Sequence, residues 1–161
     1  MIEPALSFTQ ELALVSALRN STLMYPLVNA GHILGVAMLV GGIVPLDLRL
    51  LGLWRRYPVS VFIAVLRITS AMGLVLAIVC GLLLFATAAV DYAGSSLFQA
   101  KITLVVLGVS NALVLGKVLK RRDVENLPLM AKMPFSVRVG AALSLFVWIS
   151  ALTLGRLLGY F

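Results

Sequence analysis

The sequence predicts an all-α polytopic membrane protein: a four-transmembrane-helix bundle preceded by a short N-terminal interfacial helix, forming a single domain over residues 1–161. Three observations predict it. Hydrophobic residues make up 61% of the chain and charged residues 12%, against roughly 45–50% and 25% in soluble domains. Several apolar runs reach the ~20 residues that cross a ~30 Å hydrocarbon core. The basic residues behind the net charge of +7 stand beside these runs, where they set topology, and not on a soluble face that would bind nucleic acid.

Residues 5–18 are expected to form the interfacial helix. Glu3 and Glu11 occupy the stretch where a cleavable signal needs positive charge, and polar residues break the apolar run. The first span is expected at about 23–45. Asn20, Ser21 and Thr22 offer capping oxygens, Pro26 lies early, and Pro45 is expected to end or kink the helix. "LDLRLLGLWRR" continues at the interface with Trp54 as an anchor. The second span is expected within about 62–90, the third at 98–119, and the fourth at 136–159, after Pro134. "KRRDVENLPLMAKMP" is too short to fold alone and is expected to be a loop.

Orientation follows from the loops. Arg49, Arg55 and Arg56 follow the first span, with Arg67 close by. Lys117, Lys120, Arg121, Arg122 and Lys132 follow the third, and Arg138 opens the fourth. The middle connection offers Asp91 and, at the next helix, Lys101. The positive-inside bias then places loops one and three in the cytoplasm of a bacterium, with both termini in the periplasm and the chain in the inner membrane.

Small residues recur at helical spacing. Gly31, Gly35 and Gly42 mark the first span, Gly73, Ala77 and Gly81 the second, and Gly108 and Ala112 the third. Gly140, Ser144, Ala151, Gly155 and Gly159 mark the fourth. In lipid, close packing drives helix association, so these stripes predict helix–helix contacts. The lone Cys80 lies in an apolar run and reads as a buried thiol; no intrachain disulfide can form.

Polar groups at membrane depth need partners. His32 is the only histidine. It lies about nine residues into the first span, ~13 Å from the outer end. Asn29 shares its face, Lys101 begins the third span, and Arg156 lies near the outer end of the fourth. These residues are expected to gather in an outer-half polar pocket, with His32 approaching Lys101. Lys101 and Arg156 are equally placed to snorkel to headgroups, and the alternative for His32 is a packed ring that bonds a neighbouring backbone carbonyl. Asn111, Thr69, Ser70 and Ser150 are candidates to hold helices together. Asp47 and Arg67 are expected to form a structural ion pair near the cytoplasmic interface.

"GHILGVAMLVGG" resembles the first helix of the core module in CopD-type copper-resistance membrane proteins. "LRITSAMGLVLAIVCGLLL" resembles its next helix, and "FQAKITLVVLGVSNAL" a helix with a lysine near its start. The same order of His, Arg, Gly and Lys is similar to that of HemJ-type protoporphyrinogen oxidases, four-helix haem b proteins. The pair "GG" and "DLRLLG" resembles a bacterial family of small four-helix membrane proteins. The resemblance covers roughly residues 23–120. It implies roles for His32 and Lys101 in binding haem.

Three functions follow as expectations. The first is a small membrane scaffold or accessory subunit without catalysis, with the bilayer, a second copy or another membrane protein as partner. The second is a haem b or redox protein, with His32 as metal ligand and Lys101, Asn29, Asn111 and Arg156 as further cofactor contacts. One histidine excludes intramolecular bis-histidine ligation, leaving five-coordinate iron, a weaker ligand such as Met38 or Met72, or a second His32 across a dimer axis. The third is copper handling through thioethers, although the six methionines occur singly.

Overall fold

The computed structural model describes residues 13–160. It is an all-α bundle. After a short helix α1 (Ala13–Asn20) come α2 (Met24–Leu51) and α3 (Val59–Thr87). A six-residue α4 (Ala89–Gly94) leads into α5 (Ser96–Arg121), a 3-10 turn (Val124–Asn126) and α6 (Phe135–Leu157). The helices α2, α3, α5 and α6 are each long and apolar enough to cross a membrane, making this a multi-pass membrane protein. α1 buries Val15 and Leu18 and packs on α3 and α2. The remainder of the expected interfacial segment lies outside the described residues.

Local chemistry sets most boundaries. Ser21 Oγ accepts from the Met24 N–H at 3.0 Å, satisfying one orphan donor of the first turn of α2. Gly52 ends α2 in the left-handed region (φ 117°) and donates its N–H to the carbonyls of Leu48 and Arg49. Ser95 caps α5, and Pro58 and Pro134 precede α3 and α6.

Boundaries differ from the sequence expectation at the end of α2 and at both ends of α3, which starts at Val59 and not at 62. α2 does not end at Pro45 but continues to Leu51. The missing proline N–H weakens one turn, yet Leu46, Asp47, Arg49 and Leu50 beyond it are all buried, so tertiary packing holds the last turns in place. Arg49 is therefore part of the helix, not a loop charge. α3 stops at Thr87, short of residue 90, and a change of backbone direction at Ala88 starts α4.

Close backbone contact orders the four spans as α3, α2, α6, α5. α2 and α3 form the tightest pair, α5 and α6 the second, and α2 and α6 join the two hairpins. α3 and α5 meet through long side chains. Phe85 stacks on Phe98 with centroids 5.2 Å apart, and the Arg67 guanidinium lies over Gly116.

The α2–α3 crossing is built on small residues. A Cβ placed on Gly35 would lie 2.5 Å from Ala77 N and 2.9 Å from Gly73 O. Gly73 faces the Leu39 backbone, Gly42 faces Ser70, and Gly31 faces Cys80 Sγ. On the other hairpin Gly108 accepts the indole of Trp148, and Gly140 accepts Leu115. Asn111 Nδ2 donates to Gly140 O at 3.1 Å, tying α5 to α6.

The apolar core sits at the end carrying the basic loops and at mid-bundle. Leu46, Leu50, Val59, Ile63, Leu115, Leu119, Val137 and Ala141 converge from all four spans. The connection before α6 is more than a loop. Its 3-10 turn buries Val124 completely, and Met133 joins the same cluster, so this segment plugs the basic end.

Candidate functional site

His32 sits on the face of α2 that meets α3. Its Nδ1–H donates to the Ala77 carbonyl at 2.8 Å. A carbonyl only accepts, so this bond assigns the tautomer and leaves the Nε2 lone pair uncommitted to that bond. The ring lies over Gly81, with Cε1 and Nδ1 3.0 and 3.2 Å from where a Cβ would stand. Gly81 therefore supplies the space and Ala77 the acceptor, one turn apart on α3.

Lys101 enters from α5, one turn beyond Phe98 in the Phe85–Tyr92–Phe98 aromatic cluster. It is half-buried, and its Cε and Nζ lie against Gly155 of α6, at 3.3 and 3.4 Å from a Cβ there. Its ammonium is within electrostatic reach of the His32 ring. The fold thus brings His32 and Lys101 to the same half of the bundle from different hairpins.

The other candidates do not join them. Asn29 is exposed. Arg156 is also exposed; its guanidinium lies 4.8 Å from the Tyr160 ring centroid and donates to Tyr160 Oη at 2.6 Å. Asn111 serves the α5–α6 contact described above. Among the glycines, Gly31, Gly35, Gly42 and Gly73 line the α2–α3 crossing, Gly81 beds the His32 ring, and Gly108 seats Trp148.

The Asp47–Arg67 ion pair is not formed. Asp47 is 2% exposed and lies near Ser144 on α6. Arg67 is exposed and reaches Gly116 on α5. The two residues face different seams of the bundle. Asp47 Oδ2, Arg49 Nη1 and Trp148 Nε1 are buried polar atoms without a partner among the described residues. Sequence reasoning missed this because Asp47 and Arg49 looked interfacial. The available signal was the uninterrupted leucine setting of "PLDLRLLG", with the two charges at i, i+2 and so on different faces. Arg49 spends its other nitrogens on Tyr57 O, at 3.2 and 3.0 Å.

The donors would offer a cofactor one ligating nitrogen, His32 Nε2, and not a closed metal site. Nδ1 donation to a carbonyl is how a ligating histidine is commonly oriented, and Lys101 could hold an anionic group nearby. No trio of His, Cys, Asp or Glu able to hold a metal occurs among the described residues. The described methionines do not assemble either. Met133 is in the basic-end core, whereas Met24, Met72 and Met130 are exposed at separate places. A cavity of about 220 Å³ lies at the opposite, basic end, lined by Arg55, Lys132 and Arg138. This is below the ~300–1,000 Å³ usual for cofactor-sized ligands.

Comparison with protein families, curated proteins and solved structures finds no match for the chain.

Proposed function

We propose that the protein is a small membrane scaffold or accessory subunit of a bacterial inner membrane. The observation that carries this reading is the engagement of His32. Its ring fills the space over Gly81 and its Nδ1–H holds the Ala77 carbonyl, so the one imidazole of the chain clamps α2 to α3. The glycine-lined crossing beside it makes that hairpin a rigid unit. The outer faces of α3, with Val61, Val65, Ile68, Met72, Val75 and Val79 exposed, offer a surface to lipid or a partner helix.

A haem b or redox role of the HemJ type is the second reading. It is favoured by the Nε2 lone pair, which the bond to Ala77 O does not use, and by Lys101 nearby. CopD-like copper handling is the third and has weaker support, because the thioethers are dispersed. Spectroscopy of the detergent-purified protein separates these readings. With adequate haem supply the wild type is expected to show no Soret band. His32→Ala is expected to lower Tm by a few degrees, since interhelical bonds in lipid contribute about 0.6–1.7 kcal/mol and a void is left over Gly81. A stoichiometric Soret band that His32→Ala abolishes would replace the scaffold reading with the haem one.

The proposed topology has both termini periplasmic and the two basic connections cytoplasmic, supported by Arg55, Arg56, Lys117, Lys120, Arg121, Arg122 and Lys132 at one end of the bundle. Asn126 is exposed on the 3-10 turn. Asn126→Cys in a Cys80→Ser background is expected to resist an impermeant thiol reagent in intact cells and react after lysis. Ready labelling of intact cells reverses the orientation.

A further inference from the structure

We infer that the basic-end cavity is a binding site for the headgroup of an anionic phospholipid. The cavity lies where the end of α2, the connection before α6 and the first turn of α6 meet. Its polar lining comes from Arg55, Lys132 and Arg138, with Leu51 and Met133 as apolar lining; no carboxylate among the described residues lines it. Three cations converging on about 220 Å³ without a counter-charge form a receptor for a compact anion. Each would repel the others unless an anion or water occupied the space.

The site is constructed by tertiary contacts. Gly52 turns the chain at the end of α2 and brings Arg55 back under the bundle, with Arg55 Cδ 3.9 Å from where a Gly52 Cβ would stand. Arg55 donates to the Met130 carbonyl, and the Met130 N–H returns a bond to Arg55 O at 3.3 Å. This reciprocal pair holds the Arg55 backbone and side chain against the segment that carries Lys132. Behind Arg55, within electrostatic reach, stands the buried Arg49, whose Nη1 has no partner among the described residues. Arg138 lies one turn along α6 from Phe135.

The chain neighbours of the lining residues point to a lipid and not to a free anion. Phe135 is 80% exposed, Met130 62%, Leu129 56% and Trp54 43%. Such groups are costly to leave in water but suit the boundary where headgroups give way to acyl chains. A phosphodiester in the cavity would carry its chains at this same end of the bundle. Basic pockets between membrane helices on the cytoplasmic side are a recurring headgroup geometry. In the proposed topology this end faces the cytoplasmic leaflet, but the inference stands on the cavity and its rim alone.

The full chain in neutral detergent tests it by thermal shift and by native mass spectrometry. The probes are dioleoyl-phosphatidylglycerol, dioleoyl-phosphatidylcholine and inorganic phosphate at equal concentration. Phosphatidylglycerol is expected to raise Tm and to remain bound, while the other two do neither. Lys132→Gln and Arg138→Gln are expected to weaken that binding about five-fold each, with Tm in lipid-free detergent unchanged. Lys117→Gln and Arg121→Gln, at exposed cations of the same end outside the cavity, serve as controls and are expected to retain binding. If Arg138→Gln fails to fold, the exposed Lys132 alone carries the test. Equal binding of both lipids, an equal effect of the control substitutions, or a full effect from inorganic phosphate alone would each overturn the lipid site.

Discussion

Gly35→Leu is expected to abolish most of the folded protein, whereas Gly41→Leu leaves it intact. The atoms facing Gly35 are Ala77 N, Ala77 Cα and Gly73 O, at 2.5, 2.9 and 2.9 Å from a Cβ. All three are backbone of α3, so no rotamer change relieves the overlap and the two helices must separate. Separation breaks the neighbouring close contacts at Gly73 and Gly42 as well, and it pulls His32 from Ala77 O. Overpacking costs about 1–3 kcal/mol where side chains can yield, and more where they cannot. A loss of about 10 °C or more in Tm is expected for a chain of this size. Nothing among the described residues lies within 4 Å of a Cβ at Gly41, and leucine is a better helix former than glycine. Its Tm is expected to hold or rise. Thermal unfolding of both variants in one detergent checks the pair, and similar losses would show that the crossing is not where the geometry places it. Gly81→Leu should lie between them, because its neighbour is the His32 ring, a side chain that can move.

Leu50→Ala is expected to be the most destabilising truncation of an aliphatic side chain in the segment "LRLLGL". Leu50 has no solvent exposure and belongs to the cluster that joins all four spans with Val124 and Met133. Leucine-to-alanine changes in such sites cost about 2–5 kcal/mol, part of it for the cavity left behind. The membrane-embedded unfolded state already keeps apolar groups from water, so the transfer part shrinks and the packing part remains. A fall in Tm of roughly 5–10 °C is therefore expected. Leu53, three residues on and 47% exposed, should tolerate alanine within about 0.5 kcal/mol. Calorimetry of the two variants decides it, and an effect at Leu53 equal to that at Leu50 would contradict the core assignment.

The sequence by itself determined the class and the element order. Four apolar runs of membrane length, with Ser21 before the first and Pro134 before the fourth, are local properties of hydropathy and backbone chemistry. So was the candidacy of His32 and Lys101, because polar groups are scarce in apolar helices and stand out there. What lay beyond local reading was decided by which faces meet. Glycine stripes cannot distinguish Gly41, which is open, from Gly42, which meets Ser70. A proline rule cannot know that the turns after Pro45 are held by burial. Asp47 and Arg67 share a depth, yet depth does not determine azimuth, and helix packing turned one toward α6 and the other toward α5. Arg156 likewise had the right depth and the wrong face, while His32 met Ala77 on a helix 45 residues away in sequence. A helix repeat of 3.6 residues specifies which residues share a face. The partner of that face is set only when four helices compete for close packing, and that competition is a tertiary property.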